Sequence, residues 1–93
     1  MLTFEQCQKH DQYYQIKEST IQSINDYVEH KLEPGSFVTA VLANDLKGSF
    51  GRADHENLGA MFQICCYVYN EIPASCQGSY EKVRAWFGIE NED

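Results

Sequence analysis

Basic residues are scarce in this 93-residue sequence, which contains seven Lys and Arg against fourteen Asp and Glu and has a formal net charge of −7. Non-specific nucleic-acid binding depends on basic side chains that neutralise phosphates, so this composition disfavours direct nucleic-acid binding. The negative charge also disfavours attraction to an anionic membrane surface. It either keeps a small protein soluble or allows an acidic surface to pair with a basic surface of a partner protein.

Long apolar runs are lacking as well. No stretch is long enough to cross a bilayer, and the first residues do not show the basic and then apolar pattern of a signal peptide. The sequence therefore predicts a cytoplasmic protein whose four cysteines are reduced. Apolar residues make up 43% of the chain and include one Trp, six Tyr and five Phe, which is enough for the core of one domain over residues 1–93.

Capping patterns mark the beginning of two helices in the first third of the chain. The pairs Thr3 with Gln6 and Ser19 with Gln22 have the spacing of a capping box. They predict helices over 4–16 and 19–32, separate or fused into one, and residues 1–18 could extend from the domain as an N-terminal helical arm. The apolar face of the second helix is expected to consist of Ile21, Ile24, Val28 and Leu32.

The two prolines of the chain divide the rest of it. Pro34 and Gly35 end the second helix, and Ser36 is expected to be the N-cap of a helix over 37–47. This stretch is apolar nearly all round until Asn44, which predicts the central and most buried helix, although its β-branched residues also permit a strand.

Gly48 is expected to cap the end of this third helix, followed by a loop over 48–52. Asp54 then predicts the start of a helix over 55–72, which Pro73 ends. Its apolar residues at steps of three and four are Leu58, Met61, Phe62, Cys65, Val68, Tyr69 and Ile72.

Ser79 is expected to cap a short last helix that carries Val83, Trp86 and Phe87 and ends at Gly88. Residues 89–93 are expected to form a frayed acidic tail. The fold class predicted from these elements is all-α: a compact, single-domain bundle of four or five short helices.

Several short motifs between Tyr27 and Phe87 occur together in a specific combination. They are Pro34-Gly35-Ser36-Phe37, Ala40-Val41-Leu42 with Asn44-Asp45-Leu46, Arg52-Ala53-Asp54 with Asn57, Tyr69-Asn70, Pro73, Gly78-Ser79 and Trp86. In this pattern the chain resembles a family of small uncharacterised proteins encoded by bacteriophages and prophages. The resemblance implies a phage origin, and small phage accessory proteins often counter host defence by occupying an enzyme or sequestering a nucleotide signal.

Five polar residues form the first candidate site: Asn44, Asp45, Arg52, Asp54 and Asn57. They flank the predicted loop, where Asn and Asp offer donors and acceptors suited to a base or sugar edge and Arg52 offers a fork for phosphate. The alternative is that these residues only cap the two adjoining helices. The helix start at Gly35 and Ser36 is a second candidate, because free N–H groups there can hold an anion.

Metal binding and nucleophilic catalysis are both disfavoured. Cys7 with His10 could supply two ligands, but a structural zinc site needs four that converge. A catalytic thiol needs a base, and Cys76, the thiol expected to be most accessible, has only His55 as a candidate. We therefore expect neither a metal, nor another cofactor, nor an enzyme.

The six tyrosines exceed what a core of this size needs, which predicts a homo-oligomer associating through exposed tyrosines. Two functions remain. The first is a phage-type accessory protein that antagonises host defence by sequestering a small phosphorylated or nucleotide signal. The alternative is an acidic inhibitor that covers a basic surface of a host defence enzyme, in the manner of anti-CRISPR proteins. A virion or assembly component is a third class.

Overall fold

The computed structural model describes residues 1–88, which form seven α-helices and one short 3₁₀ helix and no β-strand. In chain order they are α1 (Phe4–Gln8), α2 (Glu18–His30), α3 (Ser36–Leu42), α4 (Leu46–Arg52), α5 (His55–Gly59), α6 (Met61–Glu71), the 3₁₀ helix (Ala74–Cys76) and α7 (Tyr80–Gly88). The all-α prediction is confirmed, and five of the helices have seven or more residues. The tail predicted for 89–93 lies outside the described residues.

Helix α3 lies at the centre of the fold and contacts α2, α4, α6 and α7. Its side chains are buried nearly all round: Phe37, Val38, Ala40, Val41 and Leu42. A helix without a polar face is stable only when neighbouring elements cover every side of it. The prediction of a central, most buried helix is confirmed here, and the strand alternative is wrong. The predicted end at residue 47 is also wrong, because α3 ends at Leu42.

The first sixteen residues are less helical than predicted. Thr3 makes the expected capping box with α1, but α1 ends at Gln8. Three consecutive turns follow, in which the N–H groups of His10, Tyr13 and Ile16 each donate to the carbonyl three residues earlier. This geometry suits the sequence, because Cys7, Tyr13 and Ile16 are spaced by multiples of three and all three are buried.

Helix α2 is shifted relative to its prediction. Lys17 is its N-cap, so Ser19 lies inside the helix and the capping box expected there is absent. The helix ends at His30, and Lys31 takes a left-handed conformation with φ of 56°. The chain thus leaves the helical direction before Leu32, which is exposed rather than part of the apolar face.

The predicted loop over 48–52 is wrong, because these residues belong to α4. The backbone of Asn44 takes a left-handed conformation with φ of 64°, so the chain turns away from the axis of α3 at this residue. Asp45 then caps a new helix by accepting a hydrogen bond from the Gly48 N–H at 2.9 Å. Gly48 is therefore a residue of the first turn of α4 and not a C-cap, and Ser49 turns inward and is buried.

The helix predicted over 55–72 is divided into α5 and α6. Asp54 caps α5 as expected, with its carboxylate accepting from the Asn57 N–H at 2.8 Å. At Ala60 the backbone departs from helical geometry, with φ of −108° and ψ of 14°. The helix ends at Glu71, before Pro73, as predicted.

Helix α7 closes the core as expected. The Lys82 N–H donates to Oγ of Ser79 at 3.1 Å, which confirms the predicted cap, and Val83 is fully buried. Nε1 of Trp86 donates to the Tyr27 carbonyl at 2.9 Å and so ties α7 to α2.

The elements form one globule with a Cα radius of gyration of 12.5 Å, close to the roughly 12 Å expected for a domain of this length. The N-terminal segment is part of it, since Cys7, Tyr13 and Ile16 belong to the core. Within the described residues, no helix has both the length and the apolar character needed to cross a membrane.

Candidate functional site

The seven residues predicted to bind a ligand fall into three groups along the chain. Asn44 and Asp45 precede α4, Arg52 ends α4 two residues before Asp54, and Gly35 and Ser36 lie at the start of α3. Gly35 and Ser36 are therefore at the other end of α3 from Asn44 and Asp45.

Asp54 and Asn57 attach α5 to α2. Asp54 forms an ion pair with Lys17, and this hydrogen bond, with that from the Asn57 N–H, lowers the pKa of the Asp54 carboxyl group. The Asn57 side chain is buried, and its Oδ1 accepts from Oγ1 of Thr20 at 2.6 Å. These groups are already paired within the fold.

Gly35 and Ser36 lie at the opposite end of α3 from Asn44. Gly35 is the N-cap and Ser36 is the first helical residue, so the predicted N-cap at Ser36 is wrong by one position. The seven residues of α3 separate this end from the start of α4 by about 10 Å.

Asp45 and Arg52 are close together beside the C-terminal end of α3. The Asp45 carboxylate accepts from the Gly48 N–H at 2.9 Å and from the Tyr80 hydroxyl at 2.5 Å. The hydrogen bond from Tyr80, followed by that from Gly48, lowers the pKa of Asp45, and the charge of Arg52 acts in the same direction. The Arg52 side chain folds back along α4 toward Gly48.

A groove with a volume of about 410 Å³ runs between α3, α6 and the segment that follows α6. Val41 and Leu42 of α3 and Val68 of α6 give it an apolar floor. Tyr69 stands at its side with 83% of its surface exposed, and the exposed Asn44 side chain lies at its edge.

The far wall of the groove is held to the core by hydrogen bonds. The Gly78 N–H donates to the Leu42 carbonyl at 2.7 Å, with Gly78 at a φ of 122° that favours glycine. Nε2 of Gln77 donates to the Val68 carbonyl at 2.9 Å. Lys82 lies beside this wall, with Nζ 3.8 Å from the position that a Cβ would take at Gly78.

A smaller cavity of about 50 Å³ adjoins the groove and shares Val41, Asn44 and Cys65 with it. Asp45 and Leu46 line its other side. Asn44 and Asp45, two of the residues predicted from the sequence, are thus next to the groove, and Arg52 lies beside Asp45.

Sequence reasoning did not identify Tyr69, Gln77, Gly78 or Lys82 as site residues. The sequence places Tyr69 on the apolar stripe of the helix predicted over 55–72 and among the six tyrosines from which self-association is expected, but not in the ligand site. Because α6 is apolar almost all round, its periodicity cannot distinguish the side that the core covers from the side that lines a groove. The other three become neighbours of the groove only through tertiary packing.

The thiols differ from expectation. Cys76 is fully buried, with Sγ 3.2 Å from the Pro73 carbonyl oxygen, so the prediction that it is the most accessible thiol is wrong. Cys7 is buried too, which raises its pKa, and His10 stacks on Tyr13 with ring centres 4.1 Å apart. In residues 1–88, no three His, Cys, Asp or Glu side chains come together in a group that could hold a metal ion.

Comparisons of this chain with protein-family models, with curated proteins and with solved structures give no match. The resemblance to phage proteins stays a prediction. The groove and the side chains around it are the observations from which a function is inferred.

Proposed function

We propose that this chain is a non-enzymatic binding protein that sequesters a small phosphorylated or nucleotide-type molecule in the groove between α3 and α6. The observation that carries the proposal is the groove of about 410 Å³ with an apolar floor and an exposed tyrosine at its side. Small-ligand sites have volumes of about 300–1,000 Å³ and are lined mainly by apolar and aromatic groups with a few polar ones. The Tyr69 ring can stack on a base, and the Asn44 amide can pair with its edge.

The distribution of basic residues supports an anionic ligand. Four of the seven Lys and Arg lie on α4 and α7, which together contain one acidic residue, Glu81. Lys82 lies beside the groove wall at Gly78, and Arg52 lies beside Asp45 next to the smaller cavity. If the ring of a ligand stacks on Tyr69, its phosphates would be attracted to the Lys82 and Arg52 side chains.

The biological setting that we propose follows from the sequence resemblance. A phage-encoded chain of this kind would act in the cytoplasm of the host cell, where holding a nucleotide signal lowers its free concentration. Sequestration requires affinity and abundance rather than catalysis, which suits a 93-residue protein.

Calorimetric titration with mononucleotides and with cyclic mono- and dinucleotides tests the proposal. For a ligand that binds, Tyr69→Ala is expected to weaken affinity about tenfold, since base stacking contributes roughly 1–3 kcal/mol per base. At protein concentrations where the chain is monomeric, the melting temperature should not change, because Tyr69 is exposed in the single chain. Tyr14→Ala is the matched control, since Tyr14 is 57% exposed and does not line the groove. Equal affinities for the two variants would contradict the proposed site.

The phosphate end of the site is tested by Lys82→Ala and Arg52→Ala. We expect each to weaken binding of a phosphorylated ligand about tenfold and to leave binding of the matching unphosphorylated nucleoside unchanged. Lys9→Ala, at the end of α1, is the control for a general change in charge. If all three variants bind as the parent does, the basic side chains take no part in recognition.

The acidic inhibitor is the second candidate, and the exposed carboxylates along and after α2 favour it: Glu18, Glu29 and Glu33. A pull-down of host enzymes by the parent chain, lost on charge reversal of these three residues and weakened steeply by salt, would indicate this function. Retention of partners by the reversed variant would exclude it.

A further inference from the structure

Helices α4 and α6 expose adjoining apolar side chains that no element of the described chain covers. On α4 these are Leu46 and Phe50, exposed to 65% and 47%, and on α6 they are Phe62 and Tyr69, exposed to 78% and 83%. Cys65 lies between the last two on the same side of α6 and is exposed as well. Because Leu46 and Cys65 line the same small cavity, the two stripes adjoin. We call these five residues the α4–α6 apolar face.

The area of this face matches what a small specific interface needs. With about 200 Å² for a whole aromatic side chain, Phe62 and Tyr69 together present on the order of 300 Å². Phe50 and Leu46 raise this to roughly 500 Å², which is large for an apolar patch on a monomer. Two such faces in contact would bury about 1,000 Å², near the lower limit for a specific interface.

The charges of the chain favour a second copy on this face. Two chains of net charge −7 repel each other wherever their acidic surfaces meet. Helix α4 contains Lys47 and Arg52 and no acidic residue, and the only acidic residue of α6, Glu71, accepts a hydrogen bond from the Tyr13 hydroxyl at 3.0 Å. Two copies that meet through this face therefore keep most of their carboxylates apart.

The spacing along α6 is also self-complementary. Phe62 precedes Cys65 by three residues and Tyr69 follows it by four, so Cys65 lies near the middle of the stripe. In an antiparallel pair of α6 helices related by a twofold axis near Cys65, Phe62 of the partner subunit would lie opposite Tyr69. A contact of this type uses the same patch on both copies and closes at two.

We propose that the protein forms a symmetric homodimer through the α4–α6 apolar face, with the two α6 helices antiparallel and the two Cys65 thiols near the axis. Tyr69 is shared by this interface and the groove, so the second copy would cover the open side of each groove. The dimer itself requires no ligand, and its test is independent of the proposed ligand binding.

Sedimentation equilibrium of the full chain without ligand, from low to high micromolar concentration, measures the association. The average mass is expected to rise from 10.7 kDa toward twice that value and no further. Phe62→Asp places a carboxylate in each half of the interface and should weaken dimerisation at least tenfold. Leu46→Glu applies the same test on α4, so the result does not depend on the folding of one variant. Tyr14→Asp is the control outside the face and should dimerise as the parent does.

A short bismaleimide locates the axis, since each of its two rings adds one thiolate and so joins two nearby thiols. We expect a covalent dimer in the parent that is lost in Cys65→Ser and kept in Cys66→Ser. Dimers that survive both Phe62→Asp and Leu46→Glu, growth of the mass beyond a dimer, or a monomer at all concentrations would each overturn the proposal.

Discussion

At the scale of single residues, the Tyr67 hydroxyl connects three parts of the chain. It accepts a hydrogen bond from the Leu2 N–H at 3.1 Å and donates to Oδ1 of Asn25 at 2.7 Å. Nδ2 of Asn25 in turn donates to the Leu2 carbonyl at 2.8 Å. One buried hydroxyl thus fixes the N-terminal segment and α2 to α6.

Tyr67→Phe keeps the shape of the ring and removes only the oxygen. The Leu2 N–H and the Asn25 amide lose a partner, so the free energy of unfolding is expected to fall by about 1–3 kcal/mol. Tyr69→Phe is the matched control on the same helix, because Tyr69 is 83% exposed and its hydroxyl can bond to water. Urea unfolding of both variants measures the difference, and equal stabilities would contradict the role given to Tyr67.

At the scale of elements, the first turn of α4 depends on close packing of the Asp45 and Arg52 side chains against the backbone of Gly48. A Cβ at this position would collide with the Asp45 carboxyl group and stand 2.6 Å from Nη1 of Arg52. That carboxyl group also accepts the hydrogen bond from Tyr80, which links α4 to α7. Gly51 lies in the same helix, but a Cβ there would meet nothing within 4 Å.

The two glycines are therefore expected to respond in opposite directions to the same substitution. Gly51→Ala should raise the free energy of unfolding by up to about 1 kcal/mol, the difference in helix propensity. Gly48→Ala should lower it, because the added methyl group displaces the Asp45 carboxylate from the Gly48 N–H and from Tyr80. Thermal unfolding of the two variants measures the difference. Stabilisation by both substitutions would show that the Asp45 and Arg52 side chains can move aside for a Cβ at Gly48.

At the scale of the whole molecule, buried tyrosines make stability depend on alkaline pH. Burial is the main reason that the pKa of Tyr67 is raised from 10.0 to about 12, and burial likewise raises the pKa of Tyr27. A group whose pKa is higher in the folded state holds its proton more tightly there. Its contribution to stability is complete below its unfolded pKa and is lost as pH rises through the folded value.

We therefore expect the free energy of unfolding to decrease from about pH 9 upward, because burial also raises the pKa of the Cys7, Cys65 and Cys76 thiols from 9.0. Above about pH 10 the tyrosines should make this decrease steeper. In Tyr67→Phe the decrease should be shallower, because one of the tyrosines with a raised pKa is then absent. Denaturant unfolding between neutral and strongly alkaline pH measures the slope for both proteins. An equal slope in the parent and Tyr67→Phe would mean that Tyr67 ionises freely in the folded protein.

The sequence by itself determined the all-α class and the features that depend on neighbouring residues. Capping is such a feature, since a side chain and an N–H a few positions away suffice: Thr3, Asp54 and Ser79 cap the helices predicted for them. The fully apolar run of α3 likewise required a central position, because no solvent-facing side remains for it. The end of α6 before Pro73 follows from the geometry of proline.

Only the tertiary structure decided which apolar and polar groups were left for function. The helix that contains residues 48–52 has Asp45 as its N-cap, and the Tyr80 hydroxyl, from a distant part of the chain, donates to the same carboxylate. Asp54 and Asn57 were predicted to bind a ligand, but Lys17 and Thr20 of another segment occupy them. Helix α6 is apolar on two sides, so its sequence pattern does not predict which side packs against the core. Packing against α3 buried Val68 and left Tyr69 exposed, and this choice between adjacent residues created both the groove and the apolar face.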